Sequence, residues 1–147
     1  MTKIQIAESV EYLKKRGFET PEIGIVLGTG LGQLVDNIEN PIEAHYNHIP
    51  HFPLATVEFH TGKLIYGTIE GKKVIVMQGR FHLYEGYDFI DITYPIRAMH
   101  ELGIKKLLIS NASGALNSSF KKGELMLIDD HINLQVDSPL AFLDVAQ

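Results

Sequence analysis

Ile23-Gly24-Ile25-Val26-Leu27-Gly28-Thr29-Gly30-Leu31-Gly32 sets a short apolar run directly against a glycine-rich turn. The run reads as a buried strand, and Leu34 and Val35 beyond the glycines read as a short helix. Glycines at such a junction permit positive φ and let backbone amides converge on an anion. The helix N-terminus would add partial positive charge, and Thr29 a hydroxyl donor. A plain tight turn explains the glycines about as well. Their spacing misses GxGxxG by one residue, and no Gly-Lys-Ser/Thr follows, which disfavours dinucleotide and P-loop chemistry.

Outward from this junction, the chain keeps alternating between the two periods. Upstream, Ile6, Val10 and Leu13 recur at helical spacing among charged residues, so residues 3–16 read as an amphipathic helix stopped at Gly17. Downstream, residues 40–57 are rich in Pro and His and read as an extended loop. Lys63 to Thr68 and Lys73 to Met77 read as a hairpin around Glu70-Gly71. Phe89, Ile92, Ile96 and Met99 predict a helix over 89–102, with Pro95 expected to bend it or delay its start. Lys106 to Ser110 and Leu125 to Asp129 read as two further buried strands. Strands alternating with helices predict an α/β sheet, in which ligands gather at the C-terminal ends of strands. Three unusual loops, at 28–32, 78–87 and 110–116, each follow a predicted strand.

Composition narrows the function classes. With 147 residues, 45% hydrophobic and 21% charged, the chain can bury the core of one domain. The net charge of −5 argues against broad nucleic-acid binding, so an anionic ligand must be caught by a local cluster. The chain contains no cysteine, which excludes disulfides and thiolate chemistry and fits the cytoplasm. No apolar run approaches the roughly 20 residues of a membrane span, and no signal peptide is evident.

The densest chemistry lies in Gly79-Arg80-Phe81-His82-Leu83-Tyr84-Glu85-Gly86-Tyr87. Arg80 can grip phosphate bidentately. In an extended segment His82 and Tyr84 share its side, the tyrosine offering a flat surface suited to a sugar ring. Glu85 can hold the His82 imidazole in one tautomer or favour its charged form. The alternative is a surface loop with an ion pair and packed aromatics. His45, His48 and His51 are spaced by three, yet Pro50 and Pro53 place them in a loop where that spacing does not converge, so no metal site is expected. His60 stands at the start of a strand and can point into a site, or is a polar surface histidine. Asn111-Ala112-Ser113-Gly114-Ala115-Leu116-Asn117 is small enough for close amide approach to a ligand, or is a plain turn. His131 and Asn133 are read as structural.

In order and spacing these motifs, together with His60-Thr61-Gly62 and Asp130-His131-Ile132-Asn133-Leu134, resemble the trimeric, inosine- and guanosine-cleaving purine nucleoside phosphorylases. The resemblance runs from about residue 20 to the end of the chain. It implies a purine/uridine phosphorylase-like mixed β-sheet flanked by helices, incomplete here. It implies phosphate-dependent cleavage of purine ribonucleosides to free base and ribose 1-phosphate, with no cofactor, in a homotrimer. Carried over, Thr29, His60, Arg80, His82 and the amide of Ala112 would hold phosphate. Tyr84 would pack on ribose and Glu85 would steady His82, these last two histidine and glutamate positions forming the catalytic pair. The family usually has serine at position 29 and glycine at position 115, where this chain has Thr29 and Ala115.

The family chain is roughly twice as long, so residues 1–147 are expected to be the N-terminal portion of a single phosphorylase domain. The family's purine-binding residues have no counterpart here. Inactivity in isolation is therefore expected, with exposed sheet edges and apolar surface. The alternatives are a non-catalytic domain binding phosphate or a partner, and a methylthioadenosine-type phosphorylase.

Overall fold

The computed structural model describes residues 3–54, 62–135, and 137–140, which fall into two compact units, Met1–Asn111 and Ala112–Gln147. Among the described residues, the first unit carries all of the regular structure. Its elements are α1 (Lys3–Lys15), β1 (Ile23–Val26), β2 (Glu39–His45), β3 (Lys63–Ile69), β4 (Lys72–Gln78), α2 (Phe89–Leu102) and β5 (Lys106–Ile109). Short 3₁₀ turns at Gly32–Asn37, Tyr46–His48 and Leu83–Glu85 join them.

The sheet runs in the order β2-β3-β4-β1-β5. β1 lies parallel to both β4 and β5, while β2, β3 and β4 form an antiparallel meander. This is the mixed α/β sheet expected from the sequence. Placing β1 between β4 and β5 brings the ends of three parallel strands together, so the loops after Val26, Gln78 and Ile109 emerge from one edge.

Each face has its own apolar cluster. Val10 and Leu13 of α1 and Ala98, Met99 and Leu102 of α2 pack with Leu64, Ile75 and Met77 of the sheet. Alternate residues Ile65, Val74 and Val76 point to the other face, against Leu27, Ile38, Leu34 and Val35. Ser9, the buried polar residue of α1, donates to the Pro50 carbonyl at 2.6 Å and accepts from the Tyr94 hydroxyl at 2.8 Å. That pair pins the chain before residue 55 to both helices.

Local chemistry sets the ends. Gly17 and Gly103 close α1 and α2 at φ +96° and +112°, and the amides of Phe18 and Ile104 return to Leu13 and Met99. Asp88 caps α2 by accepting from the Asp91 amide at 2.8 Å. Pro95 does not delay the helix: it lies fully buried in its middle and costs only the one bond its missing N–H would make. Glu70 and Gly71 both take positive φ, the two-residue hairpin geometry that matches strand twist.

Three expectations are corrected. Residues 40–57 are not all loop, because Glu39–His45 pairs with β3 as an edge strand. The pairing was hidden by a register shift between Glu39 and Ile42, with Asn40 at φ +50° and Pro41 unable to donate. Leu125 to Asp129 forms no strand, and Leu125 and Leu127 are each 96% exposed. An apolar run becomes a strand only with a partner to bond and a face to bury. β5 is a strand but not a buried one: it closes the sheet order, and Leu108 and Ile109 are 57% and 63% exposed. In the second unit, the described residues make only turns, such as those closed by the Phe120 amide on Asn117 and the Glu124 amide on Lys121. His131 and Asn133 lie there among local turn bonds.

Candidate phosphate pocket

At that strand-end edge of the first unit lies a cavity of about 330 Å³, lined by Gly28, Thr29, Gln78, Arg80, His82, Tyr84 and Glu85, with Tyr46, Gly62 and Tyr87 among its walls. The structure thus gathers five of the seven site residues read from the sequence: Thr29, Arg80, His82, Tyr84 and Glu85. Ala112 belongs to the second unit, and His60 lies outside the described residues.

The stretch after β4 is held by its apolar members. Phe81 is buried, edge-on to Tyr87 with centroids 4.9 Å apart and tilted against Tyr46 at 5.3 Å. Its neighbours Arg80 and His82 are thereby turned the other way. Tyr46 donates its hydroxyl to the Gly79 carbonyl at 2.8 Å, and burial pushes its phenol well above the usual tyrosine range. Gly79 needs its lack of a side chain twice over. It sits at φ +97°, and a Cβ there would come within 3.1 Å of Gly62 Cα.

His82, Tyr84 and Glu85 meet through a turn, not through an extended segment. Leu83–Glu85 is a 3₁₀ turn closed by the Glu85 amide on the His82 carbonyl at 3.0 Å. The turn brings Glu85 Oε2 back to the His82 amide at 2.9 Å and to its ring Nδ1 at 3.1 Å. With Nδ1–H donating to the carboxylate, Nε2 is the nitrogen left for a ligand. The Tyr84 ring stacks on the imidazole at 4.7 Å and 18° and remains 83% exposed.

The glycine loop differs from its expected form. Leu31 closes it on the Gly28 carbonyl at 3.3 Å, with Gly30 at φ +87°. The helix after it is a six-residue 3₁₀ stretch, so little dipole is aligned there. The Gly28 amide does not face an anion: it donates to Ser110 Oγ at 2.8 Å. Ser110 Oγ in turn donates to the Val26 carbonyl at 3.2 Å, and the Ser110 carbonyl accepts from Arg80 Nη1 at 3.0 Å. Ser110 opens the 110–116 loop marked in the sequence, but the role of its side chain was missed, because only the β1–β5 pairing brings it beside Gly28. Gln78 was also missed. Its Oε1 is buried without a hydrogen-bond partner.

The histidines of the 45–51 stretch are spent elsewhere. His45 and His48 meet edge-on with centroids 6.0 Å apart, and His51 pairs with Glu8 of α1. Among the described residues no group of three or more His, Cys, Asp or Glu gathers in a metal-binding arrangement. Nor is any described helix long and apolar enough to cross a membrane.

The family model of the phosphorylase superfamily matches residues 22–147. The chain belongs to the phosphorylase superfamily. Within that superfamily it is similar to purine nucleoside phosphorylase 1 of Geobacillus stearothermophilus, 49% identical over 140 residues, or 95% of this chain and 51% of the relative. The purine nucleoside phosphorylase of Rattus norvegicus is 43% identical over 126 residues, 86% of this chain and 44% of its own. Among solved structures, isoform 2 of the Schistosoma mansoni enzyme, in complex with cytosine and ribose-1-phosphate, superposes with a TM-score of 0.79 at 41% identity, covering 84% of this chain and 43% of that one. A purine nucleoside phosphorylase in complex with ribose-1-phosphate gives 0.74 at 48% identity, covering 79% and 43%. The chain spans about half the length of the curated relatives it matches.

Proposed function

We propose that this chain is the N-terminal portion of a purine nucleoside phosphorylase domain. It carries the phosphate side of a site that cleaves inosine and guanosine to free base and ribose 1-phosphate. The observation that carries this reading is the convergence of Thr29, Arg80 and a Glu85-held His82 on one cavity. Thr29, Arg80 and His82 bind phosphate, with His60 as a further donor, and the exposed Tyr84 ring takes the ribose. As the glycosidic C1′–N bond breaks, its electron pair leaves with the base and cationic character develops at C1′. The bound phosphate dianion stabilises that charge and then forms the C1′–O bond, while the base takes up a proton at the departing nitrogen. Catalysis is positioning and electrostatics, without a covalent intermediate or a cofactor. The setting is cytoplasmic and the assembly a homotrimer.

Phosphate-dependent inosine cleavage by the purified protein tests this, with Arg80→Ala as control. Cleavage that disappears in the control supports the reading. Because the chain spans half the length of its relatives, a second reading keeps phosphate binding without turnover. Binding of phosphate lost in Arg80→Ala, with no cleavage, supports that one. Absence of phosphate binding in the unsubstituted protein refutes both.

A further inference from the structure

We propose that Ser110 is a positioning residue of the phosphate pocket, acting through the Gly28–Thr29 peptide; the inference rests on the phosphate reading given above. Four hydrogen bonds meet at this one residue, one of them from its own amide to the Val26 carbonyl at 3.1 Å. The hydroxyl donates to Val26 at 3.2 Å, which turns its lone pairs toward the Gly28 amide at 2.8 Å. The carbonyl takes Arg80 Nη1 at 3.0 Å. Ser110 therefore ties the glycine loop after β1 and the arginine after β4 to the end of β5.

The packing shows how tightly the loop is drawn in. A Cβ on Gly28 would fall 2.5 Å from the Ser110 carbonyl oxygen and 2.9 Å from its carbon. Further along, Gly30 at φ +87° has nothing within 4 Å of a Cβ, and the Leu31 amide closes the turn on the Gly28 carbonyl at 3.3 Å. The Ser110 hydroxyl is the side-chain restraint on the Gly28 amide at the root of the loop, one residue before the Thr29 side chain. Its backbone carbonyl holds one edge of the Arg80 guanidinium and leaves the opposite edge for a ligand. The two actions are separable, since substitution removes the hydroxyl and leaves the carbonyl.

Ser110→Thr and Ser110→Val separate the hydroxyl from the shape of the side chain, because threonine and valine are nearly isosteric. Inorganic phosphate binding is measured by calorimetry, first on the unsubstituted protein. Threonine is expected to bind phosphate like serine, and valine about 5- to 10-fold more weakly, the scale of one lost hydrogen bond. Ser110→Val combined with Thr29→Ala should be little weaker than Thr29→Ala alone, because the hydroxyl acts through Thr29. Combined with Arg80→Lys, its effect should multiply, because the Arg80 contact is to the backbone. Equal phosphate affinity of the threonine and valine variants overturns the proposal, even where valine lowers the melting temperature. Independent, multiplying effects with Thr29→Ala overturn it as well. Absence of phosphate binding before any substitution removes the phosphate reading itself, a failure visible before Ser110 is touched.

Discussion

Replacing Gly28 with alanine should be far more damaging than its chemistry suggests, and the structure says by how much. The added methyl would lie 2.5 Å from the Ser110 oxygen, 2.9 Å from its carbon and 3.0 Å from Asn111 Cα. All three are backbone atoms, so no side chain can swing aside; β1 and β5 must part, or the Gly28–Ser110 bond must break. Overpacking of this kind costs about 2–3 kcal/mol, to which the strained hydrogen bond adds roughly 1 kcal/mol. Two other glycines of the same loop are internal controls. Gly30→Ala meets no atom but must hold φ +87°, a cost of about 1 kcal/mol. Gly32→Ala meets no atom and needs no positive φ, so its change should stay within about 0.5 kcal/mol. Thermal and urea denaturation of the three variants should therefore rank Gly28 worst, Gly30 next and Gly32 near neutral. For a chain of this size the first should melt roughly 8–12 °C below the unsubstituted protein. Gly28→Ala melting within a degree or two of Gly32→Ala would refute the close approach of β5 to the loop, and with it the Ser110 clasp.

Burial raises the Tyr46 phenol, so the folded state holds that proton more tightly than the unfolded chain. Its contribution to stability is complete below the ordinary tyrosine value of about 10 and lost as pH rises from there through the folded value. Denaturation midpoints should fall steeply above about pH 10, and Tyr46→Phe should flatten that fall while costing about 1 kcal/mol at neutral pH; an unchanged alkaline slope in the variant would count against the assignment. Gln78→Met removes the orphaned Oε1 and should leave stability unchanged or raise it by about 1 kcal/mol, whereas a loss of more than that in urea denaturation would mean the amide has a partner.

What the sequence determined by itself is what short-range chemistry controls. Gly17 and Gly103 stop helices because only glycine takes φ near +100° at no steric cost. Glu70-Gly71 makes a hairpin because two positive-φ residues fit strand twist. The run from Arg80 to Glu85 was legible as one cluster because its members are neighbours in the chain, although a 3₁₀ turn and not an extended segment brings them together at the cavity. Tertiary structure decided everything that depends on a distant partner. The edge strand Glu39–His45 exists because β3 offers it a ladder despite Pro41, while Leu125 to Asp129, more apolar by sequence, has no ladder and stays exposed. Ser110 reaches Gly28, a residue 82 positions away, only through the β1–β5 pairing. Hydrophobic pattern and turn chemistry are written residue by residue, but strand partners and the polar atoms between them are chosen by the whole fold, where a hydrogen bond forms only if both ends arrive.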